Sequence, residues 1–325
     1  MLHRNTRPTT FGSILNYLLP IAAVYLCLSP AHSAKQATSK PAPTTQKTKG
    51  YTIPLTDIYL VPLGKKGKQW TFGVPKNITN RKGYDNQPYF SPSGNSLLYS
   101  SMHKGQTDIF RYQIAKQTRI QLTNTPESEY SPTRMGKTKF FSTVRVEKDN
   151  TQRLWKFPLK GGKPTLLSAT TKAVGYHFWL SSTQLLLFIV GKPHTLQKLD
   201  LQTQKTQLIL RNPGRCFQKQ KGRSAITFVH KVSKKKWLLK SWDTKTGQIT
   251  TIAPTLNKSE DFIRFPNGTF WMAKGGKLYK MELQGNKKWN LIKDFSKYGM
   301  GSITRLAISP NGKWLALVGK SISKK

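Results

Sequence analysis

Apolar residues in this chain come in short runs, alternating with polar positions and closed by turn residues. The clearest stretch begins with Gln87-Pro88-Tyr89-Phe90, turns at Ser91-Pro92-Ser93-Gly94 and continues as Leu97-Leu98-Tyr99-Ser100. After a loop from Met102 to Gln106 come Asp108-Ile109-Phe110-Arg111-Tyr112-Gln113-Ile114, a second turn at Ala115–Thr118, and Arg119-Ile120-Gln121-Leu122-Thr123. Period-two runs of this length, bounded by Ser, Pro and Gly, predict antiparallel strands. Four in succession predict one blade of a β-propeller.

The turn phrase returns as Ser309-Pro310-Asn311-Gly312 before Trp314-Leu315-Ala316-Leu317. Pro presets φ at the second position of a type I turn, Ser suits the first and Gly the fourth. Weaker copies are read at Ser131-Pro132 with Gly136, at Trp179-Leu180-Ser181-Ser182, at Lys221-Gly222-Arg223 and at Pro266-Asn267-Gly268. Anchored at 92, 132, 180, 222, 266 and 310, the copies are 40, 48, 42, 44 and 44 residues apart. Such intervals suit propeller blades, and six anchors predict six blades.

The last anchor leaves too few residues for a full blade. The missing strands are expected at the other end, where Asp57-Ile58-Tyr59-Leu60-Val61-Pro62-Leu63 matches Asp108 to Ile114 and Asn77-Ile78-Thr79-Asn80 matches Gln121 to Asn124. The predicted fold is therefore all-β: a six-bladed propeller of four-stranded blades over 51–325, closed by N-terminal strands that complete the C-terminal blade. Closure removes the exposed sheet edges that would invite aggregation.

The sentence Tyr89-Phe90-Ser91-Pro92-Ser93-Gly94, then Ser100-Ser101, Gly105, Asp108-Ile109-Phe110 and Gln121-Leu122-Thr123, resembles the blade repeat of the TolB-like periplasmic β-propellers. Where that pattern has Asp at the third turn position, this chain has Ser93 and Asn311, which keep the turn and lose a carboxylate. The resemblance implies an envelope protein with protein partners. Related repeats also serve in polysaccharide lyases, some of which bind a metal through histidines.

Residues 1–33 carry His3, Arg4 and Arg7, an apolar run from Phe11 to Leu28, and small residues up to Ser33, the order of a secretory signal peptide. An uncleaved membrane anchor is the alternative reading of the same run. Residues 34–50, rich in Lys, Thr and Pro, read as a flexible tether. Only Cys216 accompanies Cys27, so the exported chain is expected to hold its fold without a disulfide. The expected location is the periplasm.

Charge adds a question about partners. With 54 Lys and Arg against 13 Asp and Glu, the net charge is +41, enough to attract anionic polymer, lipid headgroups or acidic proteins. Lys65, Lys66, Lys68, Lys287 and Lys288 are expected on one face of the ring and Lys234, Lys235 and Lys236 on the other, so the lysines alone define no groove. The aromatics fall at strand positions rather than among the basic residues, which argues against nucleic acid.

The loops that lead into innermost strands share one face with those joining second and third strands. Asp85, Glu127, Glu129, His177, Glu260 and Asp261 are expected at the first kind, and His103, His194 and His230 at or near the second. Asp85, His103, Glu129, His177, His194, His230 and Asp261 thus form the candidate binding face, with His177, His194 and His230 the ligands if a metal is bound. No local ligand spacing, nucleophile elbow or phosphate loop is present, and no cofactor is expected. The leading reading is a non-catalytic scaffold that engages an envelope protein partner through this channel-mouth face. The alternatives are a metal-dependent lyase or hydrolase of anionic polysaccharide and an electrostatic binder of envelope polymer.

Overall fold

The computed structural model describes residues 45–48 and 51–321. Residues 57–321 form a ring of six antiparallel blades; in five of them the strands run in sequence order from the axis outward, and in the sixth two C-terminal strands lie inside the N-terminal ones. Blade 1 comprises Asp85–Phe90, Ser96–His103, Gln106–Gln113 and Thr118–Gln121. Blade 2 runs from Ser128–Arg134 to Thr165–Leu166, blade 3 from Val174–Trp179 to Lys205–Arg211, blade 4 from Pro213–Lys219 to Ile249–Pro254, and blade 5 from Phe262–Arg264 to Asn290–Asp294. The signal and anchor readings of 1–33 fall outside the described residues. Within the segment read as a tether, Thr45–Thr48 pairs with Tyr51–Pro54.

Blade 6 closes the ring as the sequence predicts. Its two inner strands, Met300–Ile308 and Trp314–Ser321, are C-terminal, and Trp314–Ser321 pairs antiparallel with Asp57–Lys66 in a register that sets Leu317 opposite Tyr59. Gln69–Phe72 and Lys76–Asn77 then both pair with Asp57–Lys66, so the N-terminal contribution includes a hairpin beyond the expected strand.

Local chemistry explains why the third-strand phrase recurs. The Thr79 hydroxyl donates to Asp57 Oδ1 at 2.9 Å and accepts from Ile58 N at 3.0 Å. Thr123 repeats both bonds with Asp108 Oδ1, at 3.2 Å, and Ile109 N, at 2.8 Å. One hydroxyl thus ties the start of the third strand to the segment that follows the blade, engaging a carboxylate oxygen and a backbone amide at once. The two clear turns carry the i+3 to i bond of a β-turn, from Gly94 N to Ser91 O and from Gly312 N to Ser309 O, each 2.9 Å. They meet at the seam, where Asn311 Nδ2 donates to Ser93 O at 3.0 Å.

Ser131-Pro132 is not a turn. It lies inside the innermost strand of blade 2, opposite the same bulge position as Gln87-Pro88, and the turn follows at Met135–Thr138, where Gly136 takes a φ of +57°. A left-handed residue before Pro imitates a turn in sequence while serving as a strand bulge in the fold.

The core is divided among the interfaces between blades. Successive residues of a second strand point to opposite neighbours: Leu97 and Tyr99 join Ile58, Leu60 and Val318 of blade 6, whereas Leu98 joins Phe141 and Phe157 of blade 2. Every other interface has its own buried cluster. Period-two alternation, which buries both faces of each sheet, makes the ring one continuous packed body.

Candidate functional site

The residue three before the end of each innermost strand is Gln87, Ser131, Tyr176, Cys216, Asp261 or Arg305, and all six line one central cavity of about 410 Å³. This layer divides the channel. Arg305 of blade 6 donates to Tyr176 Oη of blade 3 at 2.8 Å, and its guanidinium lies 5.1 Å from that ring. These blades stand on opposite sides of the ring, so the bond crosses the channel. Arg215 of blade 4 adds a second crosslink, with its Nη2 2.9 Å from Asp261 Oδ2 and 3.0 Å from Thr304 O. Arg305 also stands 3.8 Å from Asp261.

The loop end is a set of engaged charges. Arg215 N and Lys231 Nζ bond Glu260 Oε1 at 3.0 and 2.9 Å. Burial opposes the charge of Arg215, but the pull of Asp261 and Glu260 outweighs it and raises the pKa. Burial likewise works against the Glu260 carboxylate, and Arg215 and Lys231 reverse the balance to hold it below its ordinary value. Asp85, fully buried, receives Ser101 Oγ at 2.6 Å and Arg81 Nη2 at 2.9 Å, yet burial raises its pKa. Glu127 pairs with Arg145, which also lies 3.3 Å from Glu129. Burial pushes Glu129 up to about 7 despite the Thr125 hydroxyl donating to it at 2.5 Å.

The histidines occupy separate environments. His177 is buried, with Nε2 2.7 Å from Ser142 Oγ of blade 2, and burial drops its pKa to about 3. The His194 ring lies 4.8 Å from Phe188, its Nδ1 accepts from Gly191 N at 3.1 Å, and burial followed by Lys231 lowers its pKa. His230 lies near the end of the second strand of blade 4, where burial and then Lys240 lower it. His103 is exposed beside the loop at Lys104-Gly105. Among the described residues no three His, Cys, Asp or Glu side chains are placed to share an ion. The structure therefore gathers Glu260 and Asp261, and Glu127 and Glu129, but does not unite the seven predicted residues in one site.

Sequence reasoning did not find the turn end of the channel. From the crossing layer the cavity continues past Tyr89, Phe178 and Phe217 to Lys219 and Pro310, forming an aromatic funnel. Its surroundings are strongly positive because acids are scarce there. Of the thirteen carboxylate residues, only Asp200, Asp243 and Glu282 lie at the turn end, each closing a third strand. Asp200 and Asp243 accept backbone N–H groups of the following turns, and Glu282 pairs with Lys280. Lysines occur on both faces, as expected, but at the loop end they are accompanied by the other ten acids. The signal lay in the position of the carboxylates along each blade.

No family model matches the chain, and no curated protein does. Among solved structures, the chain is similar to TolB from Acinetobacter baumannii at 12% identity and a TM-score of 0.53, covering 82% of this chain and 64% of that one. This chain thus spans less than two thirds of that TolB. It is also similar to a putative TolB from Agrobacterium tumefaciens, at 12% identity, a TM-score of 0.56, and coverage of 82% and 98%. An oligogalacturonate lyase in complex with manganese matches at 12% identity, a TM-score of 0.52, and coverage of 76% and 80%. At such identities the likeness establishes the fold, a TolB-like six-bladed β-propeller.

Proposed function

We propose that this chain is a non-catalytic, periplasmic binding scaffold that engages an acidic envelope protein through the turn face of its propeller. The observation that carries this reading is the partition of charge: carboxylates are tied to arginines at the loop end, while an open aromatic funnel stands among uncompensated lysines at the other. A field of this kind steers acidic partners and weakens as salt rises. Apolar walls within it supply the desolvated centre that a protein interface needs. The proposed location is supported by the N-terminal basic-apolar-small sequence.

Crosslinking in living cells, followed by a high-salt wash and mass spectrometry, tests the reading. One discrete acidic protein is expected, lost when Lys287 and Lys288 are replaced by Glu and kept when Lys234, Lys235 and Lys236 are. The reverse pattern, or recovery of anionic polymer alone, would sink it. A second reading, a lyase acting on acidic oligosaccharide, is favoured by the fold shared with an oligogalacturonate lyase and by Arg215, Lys219 and Arg305, which line the cavity. Release of unsaturated product from oligogalacturonate would establish it instead.

A further inference from the structure

Arginines at the loop end are matched to carboxylates: Arg81 to Asp85, Arg145 to Glu127 and Glu129, Arg153 to Glu147, and Arg215 to Glu260 and Asp261. Two at the turn end are not. Among the described residues, Arg111 of blade 1 and Arg134 of blade 2 have no carboxylate partner, and blades 1 and 2 place no acid at that end. Arg134 Nη2 donates to Thr138 O at 2.7 Å, and the Arg111 guanidinium donates to none of the described residues. Both side chains are partly buried. The Nε of each is enclosed without a partner, whereas the terminal nitrogens, which an incoming anion would meet first, stay open to solvent.

The strand register sets the two arginines on facing walls. Tyr89, Leu98, Arg111 and Ile120 lie opposite one another across the four strands of blade 1 and so share a face, and Leu98 on that face packs against Phe141 and Phe157 of blade 2. Arg134 stands in the row of Phe141 and Phe157, so it looks back at blade 1. Burial and then the like charge of Arg111 lower the Arg134 pKa, a conflict that an anion between the two would relieve. Leu98 is buried, whereas Tyr89 and Ile120 are 37% and 41% exposed, so Arg111 sits between two open apolar groups. With strands about 4.8 Å apart, Tyr89 and Ile120 are about 14 Å from each other, the span of about four residues of extended chain.

The opposite interface shows what an occupied version of this geometry looks like. Arg264 of blade 5 holds the place of Arg134, but the row it faces on blade 4 is Gln218, Thr227, Ser241 and Thr250. Gln218 is already bonded to Phe262 O at 2.6 Å and to Arg264 N at 2.9 Å, and blades 4 and 5 carry Asp243 and Glu282 at the turn end. The cleft between blades 1 and 2 has neither the polar tie nor the acids.

We propose that the cleft between blades 1 and 2 anchors an extended segment of an acidic protein, with Arg111 and Arg134 clasping one of its carboxylate side chains and apolar residues on either side covering Tyr89 and Ile120. This rests on the reading of the turn face as a partner site and names the contact by which that face tells one acidic partner from another. Lysines steer as point charges, whereas guanidinium forks fix a carboxylate through paired hydrogen bonds. Apolar groups on both sides of the forks suit a polypeptide and leave the hydroxyls of a uronic acid without partners.

The test uses the full chain and two fluorescein-labelled peptides with blocked ends and flanking Asp residues, one centred on Phe-Ser-Glu-Thr-Leu and the other on Phe-Ser-Gln-Thr-Leu, measured by fluorescence anisotropy. The Gln peptide is expected to bind about tenfold more weakly, as for loss of charge-assisted hydrogen bonds. Arg111→Gln and Arg134→Gln should each bring the Glu peptide down to the level of the Gln peptide. Arg111→Lys, which keeps the charge and removes the fork, should restore only about threefold of the difference. Arg264→Gln should leave it within about twofold. Equal binding of the two peptides, or a preference for Glu that survives both Gln variants, would overturn the clasp, and the turn-face reading stands in that case if Lys287→Glu with Lys288→Glu weakens both peptides. Binding of neither peptide would overturn the clasp as well, and binding of phosphatidylglycerol vesicles in their place would overturn the protein-partner reading with it.

Discussion

At its loop end the channel is crossed by Arg305 and Tyr176 and braced by Arg215 between Asp261 and Thr304, whereas at its turn end the same strands leave an aromatic funnel. The contrast shows how one repeat makes two surfaces. Residues three before the ends of innermost strands converge where side chains from opposite blades can reach each other, so long arginines bridge the ring. A few residues later the side chains are aromatic or aliphatic and line the wall. The arginine choice matters, since a planar fork can bond a carboxylate and a carbonyl at once, as Arg215 does.

The largest effect that would separate the two ends is loss of a bridge. Arg215→Met leaves Glu260 and Asp261 buried beside fewer cations and is expected to cost about 3–5 kcal/mol in denaturant unfolding. Tyr89→Ala, on the exposed part of the funnel, should cost less than about 1 kcal/mol. Comparable losses would show that the loop end is no special brace.

Acid and base responses sharpen the comparison next. Glu129 has its folded pKa raised from 4.5 to about 7, so the folded state retains a proton that the unfolded state releases, and stability falls as pH rises through that window. Glu129→Gln, which mimics the protonated group, should stabilise the protein by up to about 3 kcal/mol at pH 8 and little at pH 4. His177, midway along the channel, has the opposite sign. Its pKa falls from 6.5 to about 3, so the unfolded state takes up the proton first and stability falls as pH drops below 6.5. Thermal melts of His177→Gln across pH 4–7 should lose that acid sensitivity; an unchanged slope would mean the imidazole is solvated.

The smallest expected effect on folding is at the turn face. Lys287→Gln with Lys288→Gln should shift stability by under about 0.5 kcal/mol. The same pair should flatten the salt dependence of partner recovery in the crosslinking experiment, the property proposed for this face.

The fold was legible because its signals are local. A turn phrase, an Asp-Ile pair and a Thr placed to bond them recur within single blades, and the partial blade at each end of the chain exposed the closure. Blade 2 was misaligned for an equally local reason, since Ser131-Pro132 has turn composition at a bulge. The site was legible only in part. Asp85, Glu129 and Asp261 were placed at the correct end, and Arg81 stands only four residues from Asp85, but the arginines that engage Asp261 follow from three-dimensional approach: Arg305 also bonds Tyr176, 129 residues away, and the two meet only once the ring is closed. Nothing in a neighbouring run of sequence marks Gln87 as a tie between blades, because the group it accepts from there is Ser131 N of the next blade.

The register that seals blade 6 places Gly319 opposite Asp57, so the chain enters and leaves the ring side by side at the loop end. A handle, bead or lipid attached through either flank therefore holds the protein by its back. The funnel is presented outward, as a cup set down on its base, and a sensor surface coated through either terminus would display every copy with the cup facing the analyte.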